Sequence, residues 1–238
     1  MISGDHSSKQ YDQELESIRA RILEMGGLVE TQLNLAIEAF DLEDVARADQ
    51  VIAADRRVNE LEVELDRAVN NVIARRQPTA SDLRLIMGVA KTIIDLERVG
   101  DESTKIARVA RWLHEKKVPN VRLPRVPDIQ ACGAIVAHML RGSLDSFARL
   151  DVGAAAAIIR DDQGVDERFR AILRQLITFM MEDPRTISAS IDIVWAAKAI
   201  ERIGDHAKNI AEHVIFIAQG SDVRHAPPEM LDQAVRES

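Results

Sequence analysis

Apolar residues recur at steps of three and four through most of the chain. Leu15, Ile18, Ile22, Met25, Val29, Leu33, Ile37 and Phe40 draw one stripe, the spacing of an amphipathic helix with a single buried face. The acidic run "DLED" interrupts it, and Val45, Ala48, Ile52, Val58, Leu65, Val69 and Val72 begin another. In "RRQPTASDLR", Pro78 ends the second helix and Thr79 or Ser81 is placed to cap a third. The third carries Leu83, Ile86, Ala90, Ile93, Leu96 and Ile106 and runs to about Lys117. Three long helices with short connections predict an up-down-up bundle.

The plan is then written a second time. "VIAADRRVNE" (51–60) returns as "IIRDDQGVDE" (158–167) at an offset of 107, and Phe40 returns as Phe147 at the same offset. "ERVGDESTKIA" returns as "ERIGDHAKNIA" at an offset of 104, so three residues were gained or lost between these anchors, most easily in a turn. Self-similarity over such a period points to a duplicated unit. The expectation is an all-α fold of two tandem, pseudo-symmetric three-helix bundles. Residues 1–8 are expected as a disordered tail, 9–117 as the first bundle and 118–127, with three prolines, as a linker. Residues 128–219 are the second bundle and 220–238 a loosely packed C-terminal tail.

Composition narrows the function. Aromatic residues are only 3% of the 238, which removes the stacking platform of a single-strand nucleic-acid binder, and a net charge of −8 argues against DNA or RNA as partner. Cys132 is the only cysteine, so no internal disulfide or thiolate zinc site forms, and its apolar neighbours read it as core. "MISGDHSSKQYD" lacks the apolar stretch of a signal peptide. No run approaches the ~18 apolar residues of a membrane span. A cytoplasmic protein without direct membrane insertion is expected.

The repeated acidic strings are the candidate chemistry. Glu97 with Asp101, and Glu201 with Asp205, stand four apart, on one helical face, where like charges destabilise unless something compensates them. The second helices bring Asp55 with Asn59, and Asp162 with Asp166, at repeat-related positions. Antiparallel packing would set each pair opposite the other, giving two oxygen-rich clusters suited to hard or borderline divalent cations. The second, with four carboxylates, is the better metal candidate; Asn59 leaves the first one charge short. The competing reading is that Arg98, Arg202 and nearby lysines neutralise the acids in interhelical salt bridges. Gly100 and Gly204, in mid-helix, suggest close approach of another backbone or a bound group. Glu62 and Asp66 share the spacing without the glycine or arginine, and read as a solvated face. No histidine follows a glutamate by three residues, so the di-iron pattern is missing; His206 and His213 read as surface or supporting residues. No P-loop or nucleophile motif occurs.

The strings "VIAADRRVNELE", "ARRQPTASDLRLI" and "DLERVGDESTKIA", with the echo "ERIGDHAKNIA", resemble the PhoU family of bacterial phosphate-uptake regulators, from about Asp12 to Gln219. The resemblance implies two three-helix bundles and no enzymatic activity. It implies an adaptor between the ATPase subunit of the phosphate ABC transporter and the sensor histidine kinase of the phosphate two-component system. Such an adaptor keeps the starvation response off when phosphate is plentiful, commonly as a homodimer. It further implies multinuclear metal at the paired acidic motifs, with iron, zinc, manganese or magnesium all open, through Asp55, Glu97 and Asp101 in one half and Asp162, Asp166, Glu201 and Asp205 in the other. Asn59 departs from the all-acidic pair. A metal-storage or redox bundle and a purely structural helical scaffold are the alternatives.

Overall fold

A computed structural model describes residues 3–78, 80–115, 126–224 and 228–236. The first bundle is α1 (Ser3–Leu42), α2 (Val45–Arg76) and α3 (Ala80–Glu115); the second is α4 (Pro127–Arg149), α5 (Val152–Glu182) and α6 (Ile187–Gln219). A short helix, α7 (Pro228–Arg236), follows. The all-α, two-bundle expectation is borne out. Stripe residues Ile22, Met25, Val29 and Leu33 on α1 are fully buried with Val58 and Leu65 on α2 and with Ile93, Leu96 and Ile106 on α3. Each such side chain contributes about 1.5–3 kcal/mol of apolar transfer. The turn before the second helix is built identically in both repeats: Asp44 accepts from Arg47 N at 3.1 Å and Asp151 from Ala154 N at 2.9 Å, each capping a helix N-terminus.

The bundles meet through α1 against α4 and, most extensively, α3 against α6. A Cβ on Gly26 would stand 2.6 Å from Leu144 Cδ2, and one on Gly133 would stand 2.7 Å from Ile37 Cδ1. Gly26 and Gly133 differ by the repeat offset of 107, and so do Ile37 and Leu144. The two contacts therefore exchange when one repeat is mapped onto the other, which places a pseudo-twofold axis between the bundles. The absence of a side chain at these two positions lets α1 and α4 approach.

The ends differ from expectation. α1 begins at Ser3, inside the segment expected as a tail. Beyond Gly220 the chain is not loosely packed throughout: α7 lies on α5, burying Leu231 and Ala234, and Gln219 Nε2 donates to the Ala234 carbonyl at 2.6 Å. Leu231 and Ala234, three residues apart, are too short an amphipathic pattern to stand out beside Pro227 and Pro228. Of the expected linker, residues 118–125 lie outside the described residues, and Pro127 already belongs to α4. Thr79 also lies outside them, while Ser81 sits within α3 rather than capping it. Among the described residues no helix is long and apolar enough to cross a membrane.

Candidate functional site

The first acidic seam lies between α2 and α3. Asp55 accepts a hydrogen bond from Thr104 Oγ1 at 3.3 Å and one from Asn59 Nδ2 at 3.4 Å. Asn59 thus spends its amide on Asp55. Burial pushes the pKa of Glu97 up, and the carboxylates of Asp101, Glu62 and Asp55 push the same way against Arg98. Glu62 belongs to the same seam: burial first, then Asp66 and Asp101, raise its pKa, again with only Arg98 opposing. Its expected partner Asp66 stays exposed, so the solvated-face reading holds for Asp66 and fails for Glu62. Arg98 is itself more than half exposed and lies 3.6 Å from Glu97, a geometry worth little in water.

The second seam has a different electrostatic solution. Lys198 Nζ donates to both Glu201 oxygens at 2.5 and 2.6 Å, and also sits 5.3 Å over the Phe169 ring. Lys208 Nζ donates to Asp162 at 2.7 Å. Burial works against the Lys208 ammonium, but Asp162, Glu212 and Asp205 together hold its pKa above the ordinary value. Asp205 stands at the solvent edge; partial desolvation raises its pKa, as do Glu201, Asp162 and Asp166, with Lys198 opposing.

Repeat mapping makes the contrast specific. Lys208 corresponds to Thr104, Lys198 to Ile94 and Phe169 to Glu62. The second seam carries its own cations, whereas the first has four carboxylates and one exposed arginine. Charge compensation therefore orders the clusters opposite to the sequence expectation, because the balancing lysines lie on helical turns outside the repeated pentapeptide. Asp55 lies near enough to Glu97, and Asp162 and Asp166 near enough to Asp205, to act on one another's charge across the helix pairs. Among the described residues, however, no three carboxylate, imidazole or thiolate groups converge as the ligands of one metal ion.

The glycines have a plainer role than expected. A Cβ on Gly204 would meet Val165 Cγ1 at 3.4 Å and Val136 Cγ2 at 3.5 Å, ordinary contacts with side chains and with no backbone. At Gly100 the nearest atoms would be Gln32 Oε1 at 3.3 Å, Val58 Cγ1 at 3.4 Å and Asp55 Oδ1 at 3.7 Å. Polar atoms line only the first.

Between the repeats lies a polar cluster that periodicity did not reveal. Asp95 of α3 is buried, with His206 Nδ1 at 2.8 Å and Asn209 Nδ2 at 3.1 Å from Oδ1, and His213 Nε2 at 2.9 Å from Oδ2. Burial alone would raise the Asp95 pKa, but the three hydrogen bonds outweigh it and hold it below the carboxylate norm. His206 and His213 are thus fixed at the α3–α6 contact instead of serving the acidic seam. Two helical turns along, Glu102, also buried, accepts from Lys105 at 2.8 Å and Arg202 at 3.2 Å. Arg202 is thereby drawn away from Glu201. The signal was a break in the repeat: Asp95 stands where the second copy has Ala199. Cys132 is buried, and burial pushes its thiol up to about 11, which suits a core residue.

A family model described as the PhoU domain matches residues 22–110 and again 129–214. The chain is 46% identical, over 92% of its length and 85% of the relative's, to a phosphate-specific transport system accessory protein PhoU homolog of Pseudomonas putida. It is 44% identical to the phosphate-specific transport system accessory protein PhoU of Escherichia coli K12, covering 96% of this chain and 93% of that one. The crystal structure of PhoU from Pseudomonas aeruginosa superposes with a TM-score of 0.85 at 44% identity, over 89% of this chain and all of that one.

Proposed function

Because the chain belongs to the PhoU family, we propose that it is an accessory regulator of phosphate transport. It works without catalysis of its own, in the cytoplasm, as an adaptor between the ATPase subunit of the phosphate ABC transporter and the phosphate sensor histidine kinase. Its output is negative: it keeps the starvation response off while phosphate is plentiful. Homodimerisation belongs to the same reading. The observation that carries it is the near full-length similarity to transport accessory proteins, with both repeats matched.

Metal is a second element of the proposal, and the two seams fit it unequally. The first offers Asp55, Glu62, Glu97 and Asp101 with no lysine among them, an all-oxygen set that suits magnesium, manganese or ferrous iron, with zinc less favoured. The second is occupied by the ammonium groups of Lys198 and Lys208, and as arranged does not fit a cation. A bound cation would supply positive charge between α2 and α3 and offset the mutual repulsion of these carboxylates.

The test is alkaline phosphatase activity in a deletion strain grown with excess phosphate. High activity, returned to the repressed level by the wild-type gene, is the expected result. Repressed activity in the deletion strain, with no second family member in the genome, would overturn the regulatory reading.

A further inference from the structure

The outer face of α3 holds large apolar side chains in solvent. Leu83, Met87 and Ile94 are 41%, 45% and 51% exposed. Their spacing of four and seven sets them within about 40° of one another around the helix and along ~17 Å of its length. The border of this ridge on the α6 side is cationic. Lys91, Arg98 and Lys105 stand seven residues apart, and Lys91 reaches over the Phe216 ring of α6. Arg202 of α6 extends the row: it and Lys105 share one buried carboxylate, Glu102. Toward α2 the border is acidic, with Glu97 and Asp101 acting on the charge of Glu62. An apolar ridge thus runs between borders of opposite sign, and its basic border belongs to a chain of net charge −8.

The second repeat keeps part of the ridge and uses up the rest. Ile187 and Ile191, the counterparts of Leu83 and Met87, are likewise exposed. Lys198 replaces Ile94 and turns to Glu201, Trp195 replaces Lys91, and Asn209, which donates to Asp95, replaces Lys105. Apolar side chains left in water at matching positions of both copies mark a surface that meets something. Only α3 adds to it a row of cations.

We propose that this face of α3 docks one amphipathic helix of a partner protein, its apolar side on Leu83, Met87 and Ile94 and a row of carboxylates against Lys91, Arg98 and Lys105. The inference rests on the adaptor reading above and names the surface by which the chain engages one of its partners. A ridge about three helical turns long is the complement of a helix laid alongside it. Cations seven residues apart meet carboxylates seven apart on an aligned helix, as at the edges of a coiled coil. The acidic border of Glu62, Glu97 and Asp101 fixes which way round that helix lies. It also disfavours an anionic lipid surface, which would touch both borders at once.

The test uses the purified full chain with photoreactive benzoylphenylalanine in place of Met87, of Ile94 or, on another face, of the exposed Leu42. Each is irradiated with the purified transporter ATPase subunit and, separately, with the cytoplasmic part of the sensor kinase, and the cross-linked peptides are mapped by mass spectrometry. Cross-links are expected from the Met87 and Ile94 positions, not from Leu42, to a helix of one partner that carries acidic residues at helical spacing. Ile94→Glu, and Lys91→Gln with Lys105→Gln, should each weaken binding to that partner about tenfold or more. The double variant should also flatten the dependence on salt. Both should melt as wild type does, since the sites are exposed or half-buried and Arg202 still pairs with Glu102. Lys91→Arg with Lys105→Arg should bind like wild type. Wild-type affinity in Ile94→Glu, no cross-link from either ridge position, or cross-links to a segment that is not helical or not acidic would overturn the inference and leave the adaptor reading standing. Cross-linking to a second copy without either partner, or binding to phosphatidylglycerol vesicles that Ile94→Glu abolishes, would overturn the proposed occupant. Failure of wild type to bind either partner would overturn the adaptor reading together with this inference, while the phosphatase assay judges the regulatory role independently.

Discussion

Removing the Asp95 carboxylate should loosen the contact between the two repeats. Asp95→Ala strands three N–H groups that now converge on one buried acceptor. Deleting one partner of a buried, charged hydrogen-bonded set costs about 3–5 kcal/mol. His206 and Asn209 are half-buried and water can reach them, whereas His213 is buried, so the loss should fall near the lower end, about 3 kcal/mol. Asp95→Asn keeps one carbonyl acceptor and should lose less, about 1–2 kcal/mol. Urea unfolding read from the midpoint at unchanged slope measures this. The pH dependence has a definite sign. The folded pKa of Asp95 is lowered, so its stabilisation is fully present above the unfolded value near 3.9 and is lost as pH falls through the folded value. The gap between wild type and Asp95→Ala should therefore close only below about pH 4. A change of under about 0.5 kcal/mol, the scale of an ordinary surface substitution, would refute the reasoning, as would a gap that widens in strong acid.

Other outcomes follow from the contrast between the seams. Lys198→Ile with Lys208→Thr gives the second repeat the first repeat's residues at those positions, and should add Mn²⁺ uptake to that of wild type; an unchanged stoichiometry would show that the lysines do not close the site. Gly204→Ala should stabilise by about 0.5–1 kcal/mol, since the new methyl meets only ordinary contacts and the helix gains propensity; a lowered melting temperature would contradict that. Gly100→Ala instead presses on Gln32 Oε1 at 3.3 Å and should gain less stability than Gly204→Ala, as the difference in melting temperature would show.

Much of the fold was legible because helical periodicity is a local property, and duplication let each half check the other. The stripe on α1 and the second-helix turn at Asp44 and Asp151 follow from spacing and capping chemistry alone. Contacts across elements were less visible. Glu62 stands seven residues after Asp55, two turns along the same face, but lacks the glycine and arginine that mark the repeated pentapeptide. Lys198 and Lys208 lie three residues to either side of the second acidic pair, where only helix packing decides whether they turn inward. Asp95 and Gln32 have the simplest signature: each is polar where the other repeat is apolar, Ala199 and Met139. Similarity between the repeats predicts the architecture, and the mismatches mark the chemistry.

Those mismatches also bear on what duplication achieved. Two identical repeats about a pseudo-twofold axis would carry two equal seams and a symmetric contact. Here the α3–α6 contact is asymmetric: α3 contributes the carboxylates of Asp95 and Glu102, and α6 the imidazoles of His206 and His213 and the guanidinium of Arg202. Opposite groups from the two copies can thus pair, which two like copies could not do at one place. The same division applies to the seams. The second keeps its carboxylates but pairs Glu201 and Asp162 internally with Lys198 and Lys208. The first has no lysine and is balanced only by Arg98, which is more than half exposed. α3 carries both the first seam and the inter-repeat contact, with Glu97 only two residues from Asp95, so the asymmetric chemistry of both is built on one helix.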